Sequence, residues 1–341
     1  EDLRARGFDV EDLNTALGSA LGTLRDFAGA ERAFRRAIEL EPGNALAHYN
    51  LGALLLHYFD FEGVVAANRE AIRCSPSTPE GWSNLGLGLL HQGVIDEALS
   101  ASRAALDLDP RQLYALTQVA RCLCWSGDLE AALEHARRAV DLQATGTSWT
   151  VDSPALLARL QALQPDQDLL DAWLVEATLT PSPGERARLA WSALQLGRFE
   201  EAAGLFADLS AEAPELFAGD PARIALHAAC AASWAATLTP AGSTAPWLTL
   251  ALEWFDTAVT GIELEAQGDA DARQRAHEQI RFCRCEPEVA ALREKRWRVT
   301  FDASQTEALQ TLWKRLDSLC ANELAVEHRR NHEPAQALVR R

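Results

Sequence analysis

Apolar and polar positions in residues 79–112, PEGWSNLGLGLLHQGVIDEALSASRAALDLDPRQ, follow a helical period rather than the alternation of a strand. Trp82, Leu85 and Leu89 fall at i, i+3 and i+7, which places them on one face of a first helix. Gly86 leaves room beside that face for a neighbouring helix. Gly93 is expected to end the first helix and a second to begin near Asp96, with Ala98, Ala101 and Ala105 making a flat, small-residue packing face. Pro110 stops the second helix, because proline lacks the N–H that continues the ladder and restricts the residue before it.

The same pattern returns every 34 residues, in Pro42, Pro76 and Pro110, in Gly18, Gly52 and Gly86 with Ala120 next, and in Ala37, Ala71, Ala105 and Ala139. Four helix pairs are therefore predicted, over 11–44, 45–78, 79–112 and 113–146, after a lead-in over 1–10. Ala144 stands where the fourth closing proline would be, so that exit is less sharply specified. A fifth unit is expected at 183–216, where Leu189, Ala190, Gly197, Phe199, Ala202, Phe206 and Pro214 occupy the template positions. Between them, 147–182 holds two apolar periodic runs, Pro154 to Leu163 and Asp168 to Ala177, separated by QPDQ. That stretch reads as a degenerate helix pair or as a linker between two arrays.

A 34-residue period with small residues at fixed places and a closing proline resembles the tetratricopeptide repeat. The resemblance implies an all-α fold, a right-handed α-α superhelix or solenoid with a helical C-terminal extension over 217–320, whose work is binding a protein or peptide. It also implies that the first helix of each unit lines an inner, concave wall. The template puts Asn50 and Asn84 at equivalent positions there, with Gln118 next and Ala16 in the first unit. This is similar to the asparagine ladder of the O-linked N-acetylglucosamine transferases, whose amides grip an extended peptide backbone; an amide offers donors and an acceptor to a group that has both. The alternative is that these amides satisfy neighbouring backbone or water. Flanking wall positions include Tyr49 and His57 in the second unit, Leu87 and His91 in the third, and Tyr114, Arg121 and Trp125 in the fourth. Repeat proteins that clamp a C-terminal carboxylate use two or three cations at such sites, and only Arg121 qualifies here, which disfavours that partner class.

Residues beyond 216 leave the template. An alanine-rich helix is predicted over 221–237, a long amphipathic helix from Pro246 to Glu265 and another from Asp269 to Arg281. A last helix is predicted to open at a capping box, Ser304-Gln-Thr-Glu307, and run to Leu319. The ordered set LHAACAASWAA at 226–236, ALEWFDTAV at 251–259, EPEVAALRE at 286–294 and ASQTEALQTLWKRLDSL at 303–319 resembles the C-terminal repeat region of planctomycete-type bacterial serine/threonine kinases. Glu286 and Phe301-Asp302-Ala303 depart from that family's pattern, and no VAIK lysine, HRD or DFG occurs. The resemblance implies a non-catalytic recruiting arm of such a kinase; a freestanding repeat adaptor is the further alternative.

Composition narrows the partner and excludes most chemistry. A net charge of −17 disfavours nucleic acid, whose phosphates call for a basic stripe. The local exception is Arg273, Arg275, Arg281, Arg284, Arg293, Lys295, Arg296 and Arg298, read either as a solvated surface or as a site for phosphate or an acidic partner. No apolar run approaches membrane-spanning length and no charged-then-apolar leader opens the chain. Seven cysteines without CxxC spacing argue for a reducing compartment, the cytoplasm, with Cys122 and Cys124 as core or groove residues. His277-Glu278 fails the HExxH pattern, and His328 with His332 finds no third ligand, so neither a metal, a cofactor nor a catalytic site is expected. A chain that begins at Glu1, contains no Met and has only Lys295 and Lys314 beside its arginines is expected to be a fragment from a GC-rich bacterial genome. Its polar tail, 321–341, is expected to be disordered.

Overall fold

A computed structural model describes residues 10–144, 152–175, 181–238, 245–293 and 301–319. The fold is all-α, with no strand among these residues. It divides into two compact units, Glu1–Pro165 and Asp166–Arg341.

The first unit holds four helix pairs: α1 (Val10–Thr23) with α2 (Phe27–Leu40), α3 (Ala45–Leu55) with α4 (Phe61–Cys74), α5 (Pro79–His91) with α6 (Ile95–Leu108), and α7 (Leu113–Trp125) with α8 (Leu129–Ala144). Each second helix packs on the next first helix, and the first helices α1, α3, α5 and α7 touch in succession. The pairs turn at one repeated backbone position, where Gly93 and Gly127 have φ of 72° and 81°. Arg25 and Phe59 adopt the same left-handed conformation at φ 62° and 55° without the freedom of glycine. Directly after this turn, Asp26, Asp60 and Asp128 cap the second helices through backbone N–H groups at 2.9, 2.9 and 3.0 Å.

Within each pair the close approach is set by complementary sizes. A Cβ on Gly18 would meet the Phe34 ring, one on Gly52 the Asn68 amide, and one on Gly86 the Ser102 hydroxyl. In the fourth pair both positions are alanines, Ala120 and Ala136, and both are fully buried. The small faces Ala98, Ala101 and Ala105 of α6 and Ala132, Ala136 and Ala139 of α8 lie in the core.

Between the fourth pair and the fifth, a degenerate helix pair or a linker was expected; one helix, α9 (Ser153–Val175), runs through QPDQ with Pro165 inside. The helix continues through Pro165 although its ring removes one backbone hydrogen bond and crowds the preceding turn. The division between the two units falls directly after Pro165.

In the second unit, α10 (Pro183–Gln195) pairs with α11 (Phe199–Glu212), and the turn Gly197 again has a positive φ, 71°. A short α12 (Pro214–Gly219) leads to α13 (Pro221–Leu238), which packs on α10, α11, α12, α14 (Ala245–Ala266), α15 (Ala270–Cys285) and α16 (Ala290–Arg293). Its alanines explain that centrality: Ala225, Ala228, Ala229, Ala231, Ala232, Ala235 and Ala236 are all fully buried, so neighbours approach from every side. The final helix, α17, covers 303–319. Its capping box is Asp302 with Gln305 rather than Ser304 with Glu307, since Gln305 N donates to Asp302 Oδ1 at 2.8 Å and Asp302 N to Gln305 Oε1 at 3.0 Å. Asp302 lies directly ahead of the helix, whereas Ser304 sits inside its first turn.

Helices α13, α14, α16 and α17 meet in this unit. Trp234 of α13 donates to the Glu288 carbonyl at 2.8 Å, and Trp313 of α17 donates to the Leu292 carbonyl at 3.1 Å. The Trp313 ring lies 5.3 Å from that of Phe255 on α14. Arg315 forks onto Glu263 at 2.9 and 2.6 Å and reaches Asp256 at 2.6 Å. The tail over 321–341 and His328 with His332 lie outside the described residues.

Candidate functional site: the first-helix face

Asn50 and Asn84 stand at the same register on α3 and α5, and both are half-buried. Asn50 Nδ2 reaches back to the Ser19 hydroxyl of α1 at 3.5 Å, a weak contact. One repeat on, the residue equivalent to Ser19 is Ala53, which has no acceptor, and Asn84 Nδ2 is enclosed without a hydrogen-bond partner. Gln118 continues the series in sequence but not in setting. It is only 3 % exposed, accepts from Ser102 at 3.0 Å and points its nitrogen at Ser83 at 3.5 Å. Its longer side chain spans to two serines of the neighbouring pair, so this amide is a structural tie, not an open rung.

The histidines stack on rings of the preceding repeat, His57 remaining exposed and His91 half-buried, and the tryptophan is buried. His57 stacks on Phe27 with centroids 4.5 Å apart, and His91 stacks on Phe61 at 4.6 Å. These contacts repeat at the 34-residue period and fasten the end of one first helix to the start of the preceding second helix. Trp125, at the same register, is 9 % exposed and belongs to the core. At this register the rings of His57 and His91 clamp adjacent repeats.

What stays open on this face is mixed in character. Tyr49, Leu87 and Arg121 are half-buried and Tyr114 is exposed. Burial raises the Tyr49 phenol above its ordinary pKa, with the Glu80 carboxylate and the Tyr114 phenol adding to the effect. Those causes place Tyr49, Glu80 and Tyr114, from α3, α5 and α7, in one electrostatic neighbourhood. Glu80 was missed from sequence, although it shares the register of Tyr114 and that signal was available.

Reactive chemistry is not assembled here. Burial pushes the Cys122 thiol up to about 12, and it pushes Cys230 well above the ordinary value, so both are inert core residues. Cys124 is likewise buried. No group of three or more metal-binding side chains occurs among the described residues. No described helix is long and apolar enough to cross a membrane. The basic stretch is partly consumed within the fold: Arg273 donates to the Gly268 carbonyl at 2.7 Å, Arg275 pairs with Glu265 at 2.8 Å, and Arg293 reaches the Cys283 and Glu286 carbonyls at 3.4 Å.

The repeated turns, caps and small-against-large pairings meet a family description over the first two helix pairs. Residues 15–79 match the tetratricopeptide repeat. The family match leaves the C-terminal region outside its span, and the comparisons lend no support to the kinase resemblance read there. A search of curated proteins finds no match. Among solved structures, an O-GlcNAc transferase mutant of Thermobaculum terrenum aligns at 22 % identity over 40 % of this chain, with a TM-score of 0.36. The alignment spans 26 % of that transferase's own length. A thermophilic tetratricopeptide protein of Thermus thermophilus aligns at 20 % identity over 60 % of this chain and 93 % of its own, with a TM-score of 0.36. PilF of Pseudomonas aeruginosa aligns at 18 % identity over 60 % and 92 %, with a TM-score of 0.39. At these scores the likenesses are similarities only, and the tetratricopeptide reading rests on the family match and on the helix pairs themselves.

Proposed function

We propose that this chain is a non-catalytic protein-interaction scaffold that takes an extended peptide across the first helices of its tetratricopeptide array. One observation carries the reading: the amides of Asn50 and Asn84 sit in register on adjacent first helices with hydrogen-bonding capacity that the chain itself leaves weakly used or unused. An enclosed, unpaired N–H costs about 1–3 kcal/mol, and a side-chain rotation towards a docked peptide carbonyl relieves it. Tyr49, Leu87 and Tyr114 supply apolar and aromatic contact beside them, and Glu80 supplies a negative charge. Net charge of −17 fits a protein partner better than nucleic acid, and the five described cysteines held as free thiols fit work in the cytoplasm.

Peptides selected from a random library on the immobilised full chain provide the probe. Asn50→Ala combined with Asn84→Ala is expected to weaken the selected peptides by about tenfold, the effect of two hydrogen bonds at the modest end of their usual net worth. Helical circular dichroism stays unchanged. Unchanged affinity removes the ladder.

A second reading, the recruiting arm of a bacterial serine/threonine kinase, draws on the four C-terminal segments and on their packing around Trp234, Trp313 and Arg315. The gene upstream of Glu1 decides it. Kinase motifs there support a kinase parent, and a start codon within a few dozen codons leaves a freestanding adaptor.

A further inference from the structure

Two of the repeats close the same gap with a ring. In the second pair the His48 Nε2 stands 3.0 Å from the Pro42 carbonyl oxygen. Cys74, at the end of α4, approaches that oxygen at 4.0 Å, so the second helix ends beside the same spot. In the third pair Trp82 Nε1 donates to the Pro76 carbonyl at 2.8 Å. The ring in each case fills the corner between the closing proline of one unit and the start of the next unit's first helix.

The fourth pair keeps this corner and loses the ring. The residue 34 positions after Trp82 is Leu116, which is 2 % exposed and has no donor to offer the Pro110 carbonyl. An open surface depression of about 360 Å³ lies there, lined by Pro110, Arg111, Leu116, Arg138, Asp141 and Leu142. Leu142 is the counterpart of Cys74, which identifies the depression as the equivalent of the filled corner in the second pair. Its volume lies at the small end of ligand pockets and suits one ring system rather than a large ligand. Arg111 and Arg138 are exposed, and neither forms an ion pair among the described residues. Guanidinium groups are attracted to aromatic faces, and to indole above other rings.

We propose that this depression is a binding site for an indole, the tryptophan side chain of a partner protein, which donates its N–H to the Pro110 carbonyl and lies with its face against Arg111 and Arg138. The corner holds a planar ring with an N–H donor in the two preceding repeats, and the cations at the open corner select indole among such rings. None of the lining residues belongs to the amide-bearing first-helix face, so the site stands independently of the groove and its failure leaves the groove untouched.

The test uses the full chain with carbon-13-labelled leucine methyls, titrated with N-acetyl-tryptophanamide and, separately, N-acetyl-leucinamide. The expected result is a saturable shift of the Leu116 and Leu142 methyls with the indole probe alone. Leu116→Trp places in the corner the side chain that the third repeat already carries there, so it is expected to fold and to weaken the probe at least tenfold, followed on the Leu142 methyls. Arg138→Ala is expected to weaken it severalfold without changing the fold. Equal binding of the leucine probe overturns the proposal, as does binding that survives Leu116→Trp or an absence of any saturable shift. Trp149 lies seven residues beyond Leu142 in sequence. A shift that becomes saturable only in Trp149→Ala overturns the partner reading by assigning the ring to the chain itself.

Discussion

Arg25 and Phe59 occupy the backbone position that Gly93, Gly127 and Gly197 occupy elsewhere, and all five have positive φ. A side chain there crowds the following carbonyl and costs about 1–2 kcal/mol, against a smaller entropic cost for glycine. Phe59 recovers part of this through its ring, 6.5 Å from Phe61. Arg25 is exposed and makes the cleaner test. Arg25→Gly is expected to stabilise the array by roughly 0.5–1 kcal/mol, read as a higher thermal midpoint, while Gly93→Ala is expected to lower it. The repeat pattern made these turns legible as places where the chain must reverse. It did not disclose that two non-glycine residues would accept the strain, because the caps at Asp26 and Asp60, directly after them, hold the turn whatever its occupant.

At the scale of helices, legibility followed the strength of the period. Helices α1 to α8 were readable from Leu, Ala, Gly and Pro at fixed spacing, whereas the single helix α9 was not, because its two apolar runs lack that period and QPDQ lies between them. The wall residues were read from register alone, and register does not distinguish a residue that faces a groove from one that clamps two repeats together. His57 and His91 are clamps because Phe27 and Phe61 sit opposite them, a pairing visible only once the helices are packed. The last helix offers a quantitative case. Its attachment to α14 runs through Arg315, which hydrogen-bonds Glu263 and holds that carboxyl below its usual 4.5. A depressed carboxyl pKa contributes stability that is present above the unfolded value and is lost as pH falls through the folded one. Arg315→Met is therefore expected to lower the thermal midpoint at neutral pH. The difference from the parent chain is expected to shrink as pH falls from about 4.5 through the depressed value of the folded parent, below which Glu263 is protonated in both. A difference that is constant across that range would place the stabilisation in packing around Trp313 instead.

For the whole chain, 49 acidic and 32 basic side chains leave a charge of −17. Many of the basic groups are already paired within the fold: Arg69 with Glu97 links α4 to α6 at 2.9 Å, Arg198 reaches Asp171 of α9 at 2.6 Å, and Arg35 with Glu31 sits within α2. Exposed pairs of this kind contribute little individually. The unpaired acidic excess therefore sets the response to salt. Self-repulsion of a highly charged chain destabilises the folded state, and a Debye length of about 30 Å at 0.01 M salt shortens to about 8 Å at 0.15 M. The thermal midpoint is accordingly expected to rise between those two salt concentrations, opposite to the behaviour of a fold held mainly by surface ion pairs. The same excess acts on partners. Peptides selected on the chain are expected to be basic or neutral beside their aromatic anchors, and their binding is expected to weaken with salt. An enrichment of acidic peptides would instead direct attention to Arg111, Arg138 and Arg121 as the recognising groups, since these cations lie in the half of the chain that carries the array.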